Sequence, residues 1–202
     1  MREIDPTECE HLISSIELMA SHLDNVAKKL NKEDINSMIS GIMNADAIFV
    51  MGAGRSGLVG KTFAMRLMHL GFTSYVVGES TTPAVEEDDV VIAISGSGET
   101  RSIADLGKIT KDIGATLITV TSNRNSKLGE LANTVVEIPG RTKDDLGGYL
   151  ERHMRGQYSH LTPLGTSFEI ASMVFLDSLV AELIVITGAS EADLKSRHAK
   201  LE

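Results

Sequence analysis

The stretch from Val91 to Thr100 reads Val-Ile-Ala-Ile-Ser-Gly-Ser-Gly-Glu-Thr, and it decides how the rest of the chain is interpreted. Its apolar first half predicts a buried strand over 90–94, and the abrupt change to glycine and hydroxyl side chains predicts a loop. Apolar residues then recur at helical spacing as far as Ile113, and Gly114 is placed to end that helix. The stretch therefore predicts a strand, a glycine-rich loop and the N-terminus of a helix, in that order.

This loop has the composition of a phosphate site. Ser95, Ser97 and Thr100 supply three hydroxyl groups, while Gly96 and Gly98 allow the backbone N–H groups to approach a ligand closely. The positive end of the helix dipole favours an anion at the same place. The alternative is an ordinary strand-to-helix turn in which Ser97 caps the helix. The predicted phosphate-binding residues are Ser95, Gly96, Ser97, Gly98, Glu99 and Thr100.

Composition excludes several other classes of protein. The chain of 202 residues has a formal net charge of −9 and no tryptophan, which is unlike a nucleic-acid-binding protein. Its single cysteine, Cys9, cannot form an internal disulfide, and its histidines are scattered rather than placed at zinc-ligand spacing. Uninterrupted apolar runs stay below the ~18 residues of a membrane span, and the first residues lack a signal-peptide pattern. We expect a cytoplasmic protein with no metal, no membrane and no nucleic-acid partner.

A second glycine-rich loop follows the first predicted strand, at 47–51. It reads Gly-Ala-Gly-Arg-Ser-Gly over 52–57, and a helix is predicted from there to Leu70. The spacing matches G-x-G-x-x-G, so a dinucleotide site is one interpretation. We favour a sugar phosphate, because Arg55 and Ser56 offer polar side chains to a ligand and a second loop of this kind follows. Arg55 also fits a surface salt bridge. The candidate binding residues of this loop are Gly54, Arg55 and Ser56.

Strands and helices alternate along the chain. Two amphipathic helices are predicted before the first strand, and five strands are predicted at 47–51, 74–77, 90–94, 116–120 and 134–138. The alternation predicts an α/β fold, a three-layer α-β-α sandwich around a five-stranded parallel sheet of the doubly wound, flavodoxin-like type. In such folds ligands bind beyond the carboxyl ends of the strands. The loops after the first, third and fourth strands should therefore share one site.

We predict a single domain over residues 1–202. N-terminal helices take up 1–44, the sheet 45–140, a polar loop or lid 141–161, and C-terminal helices 162–202. The segment 141–161 is equally compatible with disorder. The long helix near the end is apolar nearly all round, which indicates burial on several sides and an oligomer.

Glu169 is the first charged residue of that long helix. A carboxylate held among apolar neighbours can serve as a general base. Thr166 and Glu169 also fit a capping box, and the spacing alone favours neither interpretation.

The chain resembles the SIS (sugar isomerase) domain family, and within it the 6-phospho-3-hexuloisomerases. The resemblance covers most of the chain, and the motif over 95–100 is shared by SIS domains generally. More specific to the hexuloisomerases are Pro163-Leu164-Gly165-Thr166, Phe168-Glu169 and Arg197-His198-Ala199. The remaining stretches that carry it are 52–57, 63–72, Val77-Gly78-Glu79 and Thr82-Pro83.

The resemblance implies a reaction and a mechanism. The reaction is the interconversion of D-arabino-3-hexulose 6-phosphate and fructose 6-phosphate through a 2,3-enediolate, in the ribulose monophosphate pathway of formaldehyde fixation. It implies that Glu169 is the base. It also implies that His198, from this chain or a neighbour, is a candidate for transferring protons to and from the substrate oxygen atoms. No metal or organic cofactor is implied.

The resemblance also implies partners: a homotetramer and a functional link to 3-hexulose-6-phosphate synthase. Two other classes of function remain open. One is a sugar-phosphate-binding SIS module without catalysis, and the other is an aldose–ketose phosphosugar isomerase of different specificity.

Overall fold

The computed structural model of the protein describes residues 10–140, 166–198 and 200. The first residues of the predicted N-terminal helices, 1–9, and the predicted loop or lid over 141–161 lie outside the described residues.

The described elements follow the predicted alternation. Two helices come first, α1 (Glu10–Lys29) and α2 (Lys32–Asn44). The strands are β1 (Ile48–Gly52), β2 (Ser74–Val76), β3 (Val90–Ile94), β4 (Thr116–Thr121) and β5 (Thr134–Glu137). The helices between them are α3 (Arg55–Leu70), α4 (Arg101–Ile113) and α5 (Lys127–Leu131), and α6 (Thr166–Thr187) and α7 (Glu191–Ser196) come last. Predicted strand ends agree within one residue, whereas the five-residue α5 was not predicted.

The five strands form one parallel sheet in the order β2-β1-β3-β4-β5. From β1 the chain crosses through α3 to β2 on one side, and from β3 it crosses through α4 to β4 on the other. Because both crossovers are right-handed in such sheets, α3 and α4 lie on opposite faces. The α/β, doubly wound fold class is confirmed, and its switch point lies between β1 and β3.

Alternate residues of each strand face opposite layers of the sandwich. Ile48, Val50 and Ile92 pack into a core cluster with residues of α2, α3 and α6. Phe49, Met51 and Val91 belong to a second cluster that contains residues of α4 and α5. The strands are therefore covered on both sides, which explains why they read as continuous apolar runs.

The helix ends follow their sequence signals. Asn31 accepts hydrogen bonds from the N–H groups of Glu33 and Asp34 as the N-cap of α2. Gly71 and Gly114 end α3 and α4 with φ of +99° and +98°, a conformation that glycine adopts without steric cost.

Helix α6 is apolar on more than one side, as predicted. By length and composition alone it could span a membrane, a test that the core helix of a globular domain also passes. Here Phe168, Phe175 and Leu183 lie in the core. On its other side Met173 and Val174 are exposed, so part of the apolar surface of α6 is not covered by the described residues.

Candidate active site

The two glycine-rich loops begin side by side. Gly52 at the end of β1 pairs in register with Ile94 at the end of β3. The chain turns from these two strands into α3 and α4, whose N-termini therefore lie at the same edge of the sheet. The positive ends of two helix dipoles meet here, which favours a bound anion.

The glycines over 52–57 serve close packing of the strand-to-helix turn. A Cβ atom on Gly57 would lie 2.7 Å from the Gly52 carbonyl oxygen, and one on Gly52 would lie 2.9 Å from the Ile94 carbonyl oxygen. Gly54 differs, because its φ is +57° and the space beside it is open. The turn thus leads directly into α3 with Arg55 exposed and Ser56 mostly buried.

Hydrogen bonds from the neighbouring loop hold the 95–100 loop in place. The Gly96 carbonyl oxygen accepts from the Ser122 N–H at 2.9 Å and from the Ser122 hydroxyl at 2.7 Å. The Ser95 carbonyl accepts from the Gly98 N–H at 3.2 Å. With these carbonyl groups bound to protein donors, the loop has fewer acceptors to repel an anion.

The hydroxyl groups of this loop are not used to cap α4. The N-cap residue is Thr100 rather than Ser97, and its side chain makes no capping hydrogen bond. Ser97 Oγ accepts from the Glu99 N–H at 3.2 Å, and none of the described residues hydrogen-bonds to the hydroxyl of Ser95. The α4 N-terminus thus lacks a side-chain cap, which suits a ligand anion.

Gly98 is held in a conformation and a space that only glycine fits. Its φ is +67°, and a Cβ atom there would come within 1.9 Å of Ser126 Oγ. We expect Gly98→Ala to lower the free energy of unfolding by about 1–2 kcal/mol for the left-handed backbone and by about 1–3 kcal/mol more for the clash. Gly78→Ala is the matched control, because Gly78 has φ +95° but open space around it.

Urea unfolding of the two variants measures this difference. Gly98→Ala should be the less stable of the two. Equal stabilities would mean that the contact with Ser126 relaxes without cost.

Glu99 anchors the loop instead of facing a ligand with its carboxylate. Its Oε1 accepts from the Lys127 N–H at 3.0 Å, and its Oε2 lies 2.9 Å from Lys127 Nζ. The hydrogen bond from the Lys127 side chain, together with that from its backbone, lowers the pKa of Glu99. The carboxylate therefore stays ionised at neutral pH with its charge balanced by Lys127, and it supports the loop through this contact.

Lys127 and Ser126 were missed by sequence reasoning. Ser126 is the N-cap of α5 and accepts from the Gly129 N–H at 3.2 Å, and Lys127 is the first residue of that helix. The available signal was a serine followed by Leu128 and Leu131, but five residues are too few to establish a helical period.

Glu169 lies on the first turn of α6, beside the 95–100 loop. Its neighbour Phe168 is buried, and a Cβ on Gly96 or on Gly140 would lie 3.1 Å or 2.7 Å from Phe168 atoms. These two glycines let α6 approach the loop closely. α6 begins with Thr166 already helical, whereas a capping box requires Thr166 as the N-cap.

Arg55 and Glu169 face each other across the site. Arg55 Nε lies 3.7 Å from Glu169 Oε2, and the glutamate side chain is 14% exposed whereas that of the arginine is 59% exposed. The arrangement joins a largely buried carboxylate, a partly solvated guanidinium and an uncapped helix N-terminus. A carboxylate next to a cation and an anion site can move a proton on a phosphorylated substrate.

His198 lies elsewhere in its own chain. Its ring stacks on that of His69 with centroids 4.0 Å apart, at the C-terminal end of α3. Arg55 begins the same helix, so the two ends are about 21 Å apart at 1.5 Å per residue. The structure thus brings together Gly54, Arg55, Ser56, the 95–100 loop and Glu169, and separates His198 from them within one chain.

No metal site is found in the part of the chain that the structure describes. Over 10–140, 166–198 and 200, no group of three or more His, Cys, Asp or Glu side chains could hold a metal ion.

Comparisons with known proteins agree with this architecture. The SIS domain model matches residues 41–150. The 3-hexulose-6-phosphate isomerase of Bacillus subtilis is 35% identical over 182 residues, which cover 90% of this chain and 94% of that protein. An uncharacterized protein of Methanothermobacter thermautotrophicus is 44% identical over 195 residues, which cover 96% of this chain and 99% of that protein.

A solved structure shows the same fold. It is a protein from Methanococcus jannaschii, for which a molecular function of 3-hexulose-6-phosphate isomerase has been inferred. The two chains are 34% identical with a TM-score of 0.75, and the match covers 94% of this chain and 98% of that chain. The SIS model spans more than half of this chain and includes both glycine-rich loops. This chain belongs to the SIS domain family.

Proposed function

We propose that this protein is a phosphosugar isomerase that interconverts D-arabino-3-hexulose 6-phosphate and fructose 6-phosphate without a metal or organic cofactor. The observation that carries the proposal is the position of Glu169, whose carboxylate lies 3.7 Å from Arg55 beside the 95–100 loop. The curated relatives named 3-hexulose-6-phosphate isomerase support the choice of substrate.

In this proposal the substrate phosphate binds at the N-terminus of α4. The hydroxyls of Ser95, Ser97 and Thr100 donate to its oxygens, together with N–H groups of the loop other than the two already bonded within the turn, and the helix dipole stabilises its charge. The Glu99 carboxylate does not oppose the phosphate at close range, because it is bound to Lys127.

Glu169 then acts as the base. It removes the proton from C2 of the 3-hexulose, the C–H electron pair forms the C2–C3 double bond, and the C3 carbonyl oxygen becomes an oxyanion. The proton returns to C3, and the C2 oxygen becomes the carbonyl once its own proton has moved to the C3 oxygen. The Arg55 guanidinium near Glu169 would stabilise the oxyanion, which is where charge develops in this reaction.

Ser97→Ala tests the phosphate assignment. If the hydroxyl meets a charged oxygen, its loss should weaken sugar-phosphate binding by about 1–3 kcal/mol and leave the fold intact. Calorimetric titration with fructose 6-phosphate and a thermal melt measure the two effects. Ser37→Ala, which removes an exposed hydroxyl that donates to the Glu33 carbonyl of its own helix, is the control. Unchanged binding in Ser97→Ala would show that Ser97 stabilises the turn and does not bind the phosphate.

We also propose that the functional unit is a homo-oligomer, a tetramer in the full assembly. An apolar face runs along α3 and α6 in the single chain, where the ion pair Arg66–Asp177 at 3.8 Å joins the two helices. A face of this kind on a small domain is typical of subunit contacts. Its exposed apolar residues are Leu58, Met65, Met68, Met173 and Val174.

A two-fold contact across this face would complete the site. With the two-fold axis perpendicular to α3, packing of the same face on two copies makes the two α3 helices run antiparallel. The C-terminal end of one α3, with His69 and His198, then approaches the N-terminus of the other, with Arg55. We therefore assign the oxygen-proton transfer to the partner subunit's His198.

The cellular setting follows from the substrate and remains a prediction. We place the enzyme in the cytoplasm, in the ribulose monophosphate pathway. Its functional partner there is 3-hexulose-6-phosphate synthase, which makes or cleaves the hexulose phosphate.

Incubation of the purified protein with fructose 6-phosphate, followed by carbon-13 NMR, tests the function. We expect a second ketose phosphate with its carbonyl at C3. An aldose phosphate product would instead indicate an isomerase of different specificity. Binding without any product would indicate a sugar-phosphate-binding module.

A further inference from the structure

We infer that His69 and Arg197 are positioning residues for His198, and that together they form a seat for its ring at the C-terminal end of α3. The inference rests on the proposed function, because it concerns the ring to which oxygen-proton transfer was assigned. It is carried by two separate contacts between α3 and the segment that follows α7.

The first contact is a stacking interaction between the faces of the His69 and His198 rings. The rings of His69 and His198 are stacked, with centroids 4.0 Å apart and planes inclined by 19°. His69 is only 3% exposed and lies on α3, which contributes Phe63 and other apolar residues to the first core cluster, whereas His198 is exposed. Because the contact uses the flat face, the in-plane nitrogen atoms of His198 stay available at the ring edge for proton transfer.

The second contact fixes the backbone next to that ring. Arg197 Nη1 donates to the His69 carbonyl oxygen at 3.1 Å, near the C-terminus of α3 where carbonyl groups lack helical partners. The guanidinium also covers Gly71, since a Cβ atom there would lie 3.0 Å from Arg197 Nη2. A cation at the negative end of the helix dipole adds to this attraction.

The segment depends on these contacts because α7 itself is weakly held. The helix has six residues and none of them is buried. Leu194, which is partly buried, packs against the core. Without the seat, His198 would sample many orientations, and an imprecisely held proton-transfer group loses rate.

The seat also couples two sites through one helix. α3 presents Arg55 to the site of its own chain at one end and, in the two-fold packing proposed above, His198 to the partner's site at the other. A substitution in the seat should therefore lower turnover while the phosphate loop, and with it substrate binding, stays intact.

Steady-state kinetics of His69→Leu, His69→Phe and Arg197→Met test this inference. His69→Leu removes the aromatic ring on which His198 stacks. It should lower kcat by about 10- to 100-fold, with KM for fructose 6-phosphate nearly unchanged. His69→Phe restores a flat face and should recover most of that loss. Arg197→Met should lower kcat by a smaller factor. Lys195→Ala, an exposed change on α7, is the control and should match the wild type.

A double-variant comparison separates positioning from a general structural effect. In a His198→Gln background, His69→Leu should cause no further loss of kcat, because the ring that it positions is gone. A normal kcat for His69→Leu would overturn the inference. So would a His69→Phe variant as slow as His69→Leu, since His69 would then act by its nitrogen atoms and not by its face.

A readout without activity keeps the seat testable on its own. Stacking shifts the His198 ring protons in the NMR spectrum, so His69→Leu should abolish that shift and His69→Phe should retain it. If the wild type fails to isomerise fructose 6-phosphate, the proposed function is wrong, and the NMR comparison still decides whether His69 holds the His198 ring. An unchanged His198 spectrum in His69→Leu would contradict the seat.

Discussion

The Glu169→Gln variant is expected to lose turnover by about 10²- to 10⁴-fold and to melt close to the wild-type temperature. Glutamine has the shape of glutamate and can still accept a hydrogen bond, so packing beside Phe168 and the loop should be preserved. It cannot remove a carbon-bound proton at neutral pH. Initial rates with fructose 6-phosphate, together with a thermal melt, measure both quantities.

Glu182→Gln is the matched control for this substitution. Glu182 is an exposed glutamate of the same helix, lining a groove with Lys32 of α2, and its replacement should leave turnover unchanged. Fructose 6-phosphate should still bind to Glu169→Gln, because the 95–100 loop is untouched. If Glu169→Gln instead melts much earlier and turns over normally per folded molecule, the carboxylate is structural and the base lies elsewhere.

Co-expression of Glu169→Gln and His198→Gln chains is expected to restore activity that neither variant has alone. In the proposed two-fold contact, a mixed pair contains one site with the intact Glu169 of one chain and the partner subunit's His198. Random pairing makes half of the pairs mixed, and half of their sites are intact, so about a quarter of the wild-type activity should return.

The contrary outcome is equally clear. If His198 acted within its own chain, every site in the mixture would lack one of the two groups and the mixture would stay inactive. Light scattering on the same samples provides the control, because a stable monomer at micromolar concentration could not form an active site from two subunits.

The strands of the sheet could be predicted from local sequence patterns. The run over 90–94 was predicted with its observed ends, because a strand buried on both faces reads as continuous apolar sequence bounded by glycine and serine. The order of strands and helices then limited the topology to a doubly wound sheet. α5 was missed because five residues carry no measurable period, and its hold on Glu99 could not be foreseen without it.

The residues of the site were predicted individually, but the sequence alone could not show which of them contact each other. A salt bridge at Arg55 and a base at Glu169 were separate interpretations, and the structure pairs these two residues at 3.7 Å. That pairing depends on α6 approaching the loop at Gly96 and Gly140, which is a matter of tertiary packing. The stack of His198 on His69 is likewise a contact between distant parts of the chain, and no periodic pattern encodes it.

Isomerisation in heavy water tests the central claim most directly. When the wild-type protein is incubated with fructose 6-phosphate in D2O, formation of the 2,3-enediolate moves the C3 proton to Glu169, where it exchanges with the solvent before a deuteron is returned to carbon. The recovered fructose 6-phosphate should therefore carry deuterium at C3, and the Glu169→Gln variant should leave it unlabelled. Deuterium at C1 would show that the protein is an aldose–ketose isomerase. A fully protonated sugar with no isomer formed after prolonged incubation with wild-type protein would contradict the account and show that the protein binds sugar phosphates without catalysis.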